Sequence, residues 1–290
     1  MKRARVAGSA SFWIKLVALM VVSSGLGFNQ LQAATPTLYE SAYTGPGGAA
    51  NFYKVNPDTG AATLIGAIGF NQVGAIDFDP SGGALYAVGN RVSDGTQVLL
   101  TINPTTGAGT EIGPTTLSGN VQDISFRNSD DALFGYSGGY IYTFNITTGV
   151  ATLLGDTGDG FPSGNGLAFD PFDTLYKADN NNLWTINQST GAGTSVLSLS
   201  YPIAGSRANG MDFDNSTGIL WASVNAGSGG SGMNYLATIN VDNGDVTEVG
   251  MTQSGSDALV VSIALIPEPG TFTLVGLGLV GLLTLRRRKK

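Results

Sequence analysis

The sequence predicts an all-β fold. Three observations carry this prediction: 43 of the 290 residues are glycine, turn-forming residues recur about every ten positions, and short segments alternate apolar with polar residues. Glycine is unfavourable inside helices, whereas alternating segments bounded by Asn, Asp, Pro and Gly are typical of strands. Helical repeats are therefore disfavoured.

A hairpin motif recurs five times along the chain. Each copy ends in an Asn followed four residues later by a Gly, and a second short segment such as Ala62–Gly66 then returns. The Asn side chain can accept a hydrogen bond from the backbone two residues on, and Gly accepts a positive φ. These glycines are Gly60, Gly107, Gly149, Gly191 and Gly244, with spacings of 47, 42, 42 and 53 residues.

A second motif lies between the hairpins. In its first copy an apolar segment, Gly74–Pro80, is followed by a polar turn and then by Leu85–Ala87; the other copies begin at Gln122, Gly166 and Gly210. The two motifs together give four strands per unit. A four-stranded unit with this period is typical of a β-propeller blade.

The two ends of the repeat region complete one another. Leu38-Tyr39 resembles the second strand of a unit that lacks its first, and Ala258–Ile266 resembles a first strand with no unit after it. Joined, they would make one blade and remove the open edges of a linear array. We therefore predict a five-bladed β-propeller over residues 35–266, closed by its N- and C-terminal strands; a β-sandwich or β-solenoid is the alternative. The predicted blades are 73–113, 121–155, 166–197, 209–250 and a composite of 38–66 with 257–266.

Residues 1–34 have the order of a secretory signal peptide. Basic residues up to Lys15 precede the apolar stretch Leu16–Val22, and small residues follow. This order predicts cleavage after Ala33 or Ala34 and export through the inner membrane. An uncleaved membrane anchor is the alternative.

The C-terminal segment, 267–290, has three parts. Pro267, Glu268 and Pro269 come first, the uncharged apolar run Phe272–Leu285 follows, and a basic cluster ends the chain. As a helix, the 14-residue run would cover about 21 Å, against a hydrocarbon core of about 30 Å, so it is a short transmembrane segment. The cluster would stay on the cytoplasmic side. It comprises Arg286, Arg287, Arg288, Lys289 and Lys290.

This three-part segment resembles the PEP-CTERM sorting signal of bacterial exported proteins. The resemblance rests on the Pro-Glu-Pro motif, the apolar run and the basic end, and covers about the last 24 residues. It implies processing by an exosortase-type enzyme, transient contact with the inner membrane, and delivery to the cell envelope, the cell surface or the exopolysaccharide matrix of a biofilm. A plain C-terminal membrane anchor is the alternative.

Charge and composition exclude several classes of function. Between the two end segments the chain has five basic residues against 20 acidic ones, a formal net charge of −15. Such a body repels nucleic acid. The chain has no histidine and no cysteine. Disulfides, Ser-His-Asp triads, Cys-His dyads and His-ligated zinc are therefore excluded.

Two pairs of acidic residues are candidate calcium ligands. Asp77 and Asp79 alternate about Phe78, and Asp212 and Asp214 alternate about Phe213. Each pair should project to one side of a strand, and carboxylate oxygens are ligands for Ca²⁺. The alternative is that these Asp residues begin turns. No other cofactor is expected; the glycine pattern Gly276–Gly281 lies in the apolar tail and lacks a βαβ context.

Aromatic residues recur at one position of the repeat, and this regularity favours packing between blades over sugar binding. They are Tyr39, Tyr86, Tyr176 and Trp221. A function confined to one blade is better sought in the Gly-rich loops 156–165 and 226–232, which break the period.

The sequence therefore predicts an exported structural or interaction protein without catalytic activity, whose partners are exopolysaccharide or surface proteins. The alternative is a carbohydrate-active enzyme, a glycoside hydrolase or lyase acting on matrix polysaccharide. Glycoside hydrolysis needs two carboxylates rather than His or Cys. The predicted propeller has only three Glu, however: Glu40, Glu111 and Glu248.

Overall fold

The computed structural model describes residues 35–45, 47–226, 233–253 and 259–267. The predicted signal peptide and its cleavage residues, the Glu268-Pro269 part of the sorting motif, the apolar run and the basic end lie outside the described residues. Those described form 19 strands, and no helix among them is long and apolar enough to cross a membrane. The strands are β1 (Leu38–Tyr43), β2 (Ala49–Val55), β3 (Ala62–Phe78), β4 (Leu85–Asn90), β5 (Gln97–Ile102), β6 (Gly109–Pro114), β7 (Asp123–Phe126), β8 (Leu133–Ser137), β9 (Tyr140–Phe144), β10 (Ala151–Asp156), β11 (Gly166–Phe169), β12 (Leu175–Ala178), β13 (Asn182–Ile186), β14 (Gly193–Ser198), β15 (Arg207–Asp214), β16 (Ile219–Asn225), β17 (Asn234–Ile239), β18 (Val246–Gln253) and β19 (Leu259–Leu265).

The described strands form one seven-stranded sheet and three four-stranded sheets. The large sheet has the order β19-β1-β2-β3-β4-β5-β6, and the others are β7–β10, β11–β14 and β15–β18. Strand β3 is continuous over 17 residues, where the sequence predicts two separate strands. Its first part pairs with β2 and its last part with β4. The seven-stranded sheet is thus two four-stranded groups that share β3.

The N-terminal and C-terminal strands of the described region pair in one sheet. Strand β1 lies between β19 and β2, with Leu38 opposite both Leu265 and Val55. The amide of Ile266 donates to the carbonyl of Thr37 at 3.1 Å, which extends this pairing beyond the strand.

The first strand of each four-stranded group contacts the first strands of other groups. These strands contact each other in the order β3, β7, β11, β15, β19 and again β3. A branched or long apolar side chain lies at the same position in each, and all five are at most 2% exposed: Ile76, Ile124, Leu167, Met211 and Ile263. The core therefore lies between neighbouring sheets, where these five strands, which we call the inner strands, contact one another.

Aromatic side chains of the second strands pack against the inner strand of the next group. The Tyr86 ring meets Phe126 edge-on at 5.2 Å between ring centroids, and Tyr176 lies 5.7 Å from Phe213. Tyr39 contacts Phe78 at 5.8 Å. The packing interpretation of these aromatics is confirmed at these three positions, and Trp221 lies in the apolar cluster of Ile263 and Leu265.

Each repeat hairpin turns as the sequence predicts. The Asn side-chain oxygen accepts a hydrogen bond of 2.8–3.0 Å from the amide two residues on, at Asn56, Asn103, Asn145, Asn187 and Asn240. The turn glycine has a φ of 72–83° in the five copies. These turns also contact a neighbouring four-stranded group, because a Cβ on Gly107 would lie 3.0 Å from the carbonyl oxygen of Gly66.

Candidate functional site

Asp79 and Asp214, two of the predicted calcium ligands, cap turns. The Oδ1 atom of Asp79 accepts hydrogen bonds from the amides of Ser81 and Gly82 at 2.9 and 3.1 Å. Asp214 Oδ1 does the same for Ser216, at 2.9 Å. The turn interpretation of these two residues accounts for their position after an inner strand.

Asp77 and Asp212 instead line a small cavity between the inner strands, which we call the axial cavity. It has a volume of about 30 Å³ and lies where the inner strands end. Asp77 Oδ2 accepts from the amide of Phe126 at 2.6 Å, and Asp212 Oδ2 accepts from the amide of Leu265 at 2.6 Å. Both carboxylates therefore join their own inner strand to the next one.

Hydroxyl groups join two further pairs of inner strands. Ser125 Oγ accepts from the amide of Phe169 at 3.0 Å, and Ser262 Oγ accepts from the amide of Ile76 at 3.0 Å. The residue of β11 that is equivalent to Asp77 and Ser125 is Ala168, which has no polar side-chain atom. Asp123, two residues before Ser125, makes a separate connection: its Oδ2 accepts from the amides of Leu167 in β11 and Met211 in β15 at 2.8 and 3.1 Å.

Burial strongly affects the three axial carboxyls. Loss of solvation raises the pKa of Asp77 to about 7, although the hydrogen bonds from Phe126 and Phe78 oppose this rise. Burial also raises the pKa of Asp123 and of Asp212 well above the ordinary value, and the charge of Asp77 adds to the rise at Asp212. These groups bind protons more readily than ordinary carboxyls.

The axial carboxyls show no arrangement typical of a metal centre. Within the described residues, no group of three or more Asp or Glu side chains is placed to hold a metal ion. The oxygens of Asp77 are directed at backbone amides of Phe78 and Phe126. Calcium binding by the two pairs stays a prediction, and the geometry accounts for these side chains through turns and strand-to-strand bonds.

A larger cleft opens where β7 and β11 begin, at the end of the inner strands away from the axial cavity. Its volume is about 420 Å³, within the range of small-molecule sites. We call it the amide cleft, because its lining carries five side-chain amides, together with two aromatic rings and one charged residue. The lining residues are Tyr43, Gln72, Gly74, Asn120, Val121, Gln122, Phe161, Pro162, Ser163, Gly164, Asn165, Arg207 and Asn209.

The cleft amides use only part of their hydrogen-bonding capacity. Gln72 Oε1 accepts from Asn90 at 2.9 Å, and Gln122 Oε1 accepts from the amide of Gly138 at 3.2 Å. The Nε2 atoms of these two glutamines make no hydrogen bond within the described part of the chain. The buried Oδ1 atom of Asn165 also has no partner there. Because buried polar atoms are normally paired, this acceptor indicates a ligand or water position.

Backbone strain occurs at two residues of the cleft lining. Gln72 has a φ of 45° and Phe161 a φ of 56°, in the left-handed region that residues with a Cβ seldom adopt. Such strain persists only where surrounding contacts enforce it, and it is common at binding sites. For Gln72 one such contact is the hydrogen bond from its amide to the carbonyl of Gly48, at 2.9 Å.

A buried ion pair enforces the strained conformation of Phe161. Asp159 Oδ1 accepts from the amide of Phe161 at 2.9 Å, and Asp159 Oδ2 lies 2.7 Å from Lys177 Nζ. The hydroxyl of Tyr136 donates to the same oxygen at 2.9 Å. Lys177 is fully buried and its ammonium lies 4.7 Å from the centre of the Tyr136 ring. Burial alone would raise the pKa of Asp159, but the hydrogen bond and charge of Lys177 lower it below its ordinary value.

Sequence reasoning identified the loop but not the residues that fix it. Loop 156–165 breaks the repeat period, and it contains both Asp159 and Phe161. The missed signal is Lys177, which follows the repeat aromatic Tyr176 inside an apolar strand. A lone Lys there needs a buried acidic partner. The cleft amides gave no signal, because Gln72 and Gln122 come together only through the contact of β3 with β7, which belong to different sheets.

Comparison with protein families identifies the C-terminal segment. Residues 265–289 match the family described as "PEP-CTERM protein-sorting motif". The motif implies export to the cell envelope or surface and processing by an exosortase. The match covers the segment in which the sequence predicts this signal, so the resemblance is confirmed. No curated protein matches the chain as a whole.

Comparison with solved structures supports a β-propeller-like fold. A chain of the "Crystal structure of Nidogen/Laminin Complex" is similar over 79% of this chain and 98% of its own, with 14% sequence identity and a TM-score of 0.52. TolB from Acinetobacter baumannii is similar over 80% of this chain and 67% of its own, with 9% identity and a TM-score of 0.51. At these identities the likeness concerns the fold alone.

Proposed function

We propose that this exported protein is a non-enzymatic interaction module of the bacterial envelope or extracellular matrix, and that its binding face is the amide cleft. The observation that carries the proposal is the cleft itself, a cavity of about 420 Å³ with polar amide atoms that have no partner in the described chain. An interaction protein needs such a preformed, partly unsatisfied surface.

The fold that presents the cleft is, in our proposal, a five-bladed propeller closed by its own ends. The pairing of β1 with β19 supports closure. The cyclic contacts of β3, β7, β11, β15 and β19 support a count of five. In a closed propeller, the loops at the two ends of the axis are accessible and vary in sequence more than the strands do. The amide cleft is at one of these ends.

The positions of the carboxylates support a non-catalytic role. The described lining of the amide cleft contains no Asp or Glu. The carboxyls with strongly raised pKa are in the interior, and the axial cavity of about 30 Å³ is too small for a sugar ring. Glycoside hydrolysis requires two carboxylates on either side of the bond to be cleaved. No observation therefore favours the carbohydrate-active enzyme as a second function.

We also propose that sorting releases the propeller from the inner membrane. Pro267 follows the last residue of β19 by two positions, so the sorting motif begins directly after the closing strand. An exosortase that cuts near Pro267 would leave the sheet intact. Terminal peptide mapping of protein from the native host tests this proposal: loss of residues 268–290 is expected, and retention of the basic end would contradict it.

Binding by the cleft is tested by capture of envelope and matrix fractions on immobilised mature protein. Ser163→Trp places a large ring at an exposed position of the cleft, and Ser129→Trp places the same ring in the exposed β7–β8 turn, at the far end of the inner strands. We expect retained material with the wild type and with Ser129→Trp, and loss with Ser163→Trp. Equal retention by both variants would contradict the assignment of the binding face.

A further inference from the structure

We infer that the ligand of the amide cleft is a neutral, hydroxyl-rich saccharide and that Phe161 is the platform on which one of its rings stacks. This inference rests on the proposed binding role of the cleft. Its starting observation is that one exposed aromatic ring, one buried ion pair and several partly unsatisfied amides meet at the same cleft.

The polar groups of the cleft match sugar hydroxyls. A hydroxyl group is both a donor and an acceptor, and a primary amide offers both functions in one side chain. Gln72 and Gln122 present amide nitrogens, whereas Asn165 presents a buried amide oxygen. The described lining contains no Asp or Glu, and its one charged side chain is Arg207. This set favours an uncharged ligand with many hydroxyls over a cation.

Phe161 is held in place as a stacking surface. Its side chain is 52% exposed although it belongs to the cleft lining. It stacks on Tyr136 with 6.5 Å between ring centroids, so the ring is supported from within the protein. Exposing a large apolar ring in a strained backbone conformation is unfavourable without a ligand. A sugar ring, with apolar C–H groups on its faces, would cover it.

The ion pair of Lys177 and Asp159 fixes the position of Phe161. Asp159 binds the Phe161 amide with one oxygen, and Lys177 together with the Tyr136 hydroxyl fixes the other. Two of these groups come from strands, Tyr136 from β8 and Lys177 from β12, so the loop residue Asp159 is held by the regular part of the fold. A preorganised aromatic group loses little conformational freedom on binding, which favours affinity.

The surroundings of the cleft favour an oligosaccharide. A second cavity of about 470 Å³ adjoins the cleft and shares Ser163 and Arg207 with it. Its lining adds Tyr201 and two further amides, including Asn180, whose buried Oδ1 has no partner in the described chain. A peptide would be recognised by an open strand edge or an apolar groove, and the described lining consists instead of amides and loop backbone.

The inference is tested by titrating full-length protein in detergent with neutral hexasaccharides of glucose, galactose or mannose, using calorimetry. Polygalacturonate serves as the acidic comparison and a hexapeptide of uncharged residues as the peptide comparison. We expect at least one neutral saccharide to bind and Phe161→Ala to weaken that binding about tenfold, with Phe161→Trp retaining it. Phe172→Ala is the matched control, because Phe172 is 89% exposed in the turn between β11 and β12.

Each other result overturns the inference. Failure of every neutral saccharide, tighter binding of polygalacturonate or of the peptide, or equal effects of Phe161→Ala and Phe172→Ala would each do so. The result of the saccharide titration can be distinguished from the result of the capture experiment that tests the proposed function. If Ser163→Trp abolishes capture of matrix material but no neutral saccharide binds, the cleft is the binding face and only the ligand class is wrong. If the Ser163→Trp effect is also absent, both proposals fail.

Discussion

Gly60 and Gly250, 190 positions apart in the chain, are in backbone contact. A Cβ on Gly60 would lie 2.3 Å from the carbonyl oxygen of Gly250, and a Cβ on Gly250 would lie 2.1 Å from the carbonyl oxygen of Thr59. The same contact recurs between Gly107 and Gly66. The two glycines of the repeat therefore let the hairpin turn of one four-stranded group approach the outer strand of another group more closely than a side chain would allow.

Gly250→Ala should destabilise the protein by about 2 kcal/mol or more, because the added Cβ meets rigid backbone and the sheets must separate. Urea unfolding at fixed pH measures the change. Ser198→Ala is the matched control, since Ser198 already has a Cβ and its carbonyl oxygen is the one that the turn glycine Gly244 contacts. There, Ser200 also pairs with Gly244 and Val246 through backbone hydrogen bonds. Equal stability of Gly250→Ala and the wild type would contradict this account.

The turns and inner strands of the fold were predictable because short segments of the repeat specify each of them. Asn56 with Gly60 specifies a hairpin turn, and the apolar segment ending at Phe78 specifies a buried strand. The continuity of β3 was not predictable. Gly66 and Gly69 resemble a break between two strands, yet Asn71 pairs with both β2 and β4 and so joins the two halves.

The candidate site was predictable only in part, because its residues come from different sheets. Loop 156–165 was identified as irregular, but nothing local connects Asp159 with Lys177 or with Tyr136. Similarly, Asp123 is fully buried, and its bond to the amide of Met211 is not visible in the sequence, since Met211 belongs to another sheet.

Ser262→Ala should cost about 1–3 kcal/mol of stability. Ser262 Oγ accepts from the amide of Ile76 at 3.0 Å and donates to Asp123 Oδ1 at 2.9 Å, and all three residues are buried. Removing the hydroxyl leaves a buried donor and a buried carboxyl oxygen without this partner. Thermal and urea unfolding measure the effect. Ser195→Ala, at an exposed position of β14, should change stability little; an equal change in both variants would contradict the role of Ser262.

Lys177→Met should destabilise the protein by about 3–5 kcal/mol, because it leaves the carboxylate of Asp159 buried without its cation. The double variant Lys177→Met with Asp159→Asn should recover part of the loss, since it removes both charges. Urea unfolding of the two single variants and the double variant gives the coupling energy. Arg127→Ala, which removes a partly exposed ion pair with Asp130, should have a smaller effect. Additive effects of the two buried substitutions would contradict the coupling.

Stability should fall as the pH rises through about 7. Burial raises the pKa of Asp77 to about 7 from an ordinary value of 3.8, so between these values the folded protein binds a proton that the unfolded chain does not. The resulting stabilisation is complete below pH 3.8 and is lost as the pH rises through about 7. The raised pKa values of Asp123 and Asp212 act in the same direction.

Asp77→Ser isolates the contribution of Asp77 to this pH dependence. Ser125 occupies the equivalent position of β7, and its hydroxyl accepts from the amide of Phe169, so a serine at 77 keeps an acceptor for the amide of Phe126 without a titrating group. Melting temperatures between pH 5 and 9 at constant ionic strength should fall less steeply for this variant than for the wild type. Asp58→Ser, at an exposed turn position, should leave the slope unchanged. A wild-type stability that rises between pH 6 and 8, or an unchanged slope in Asp77→Ser, would show that Asp77 is ionised in the folded protein throughout this range.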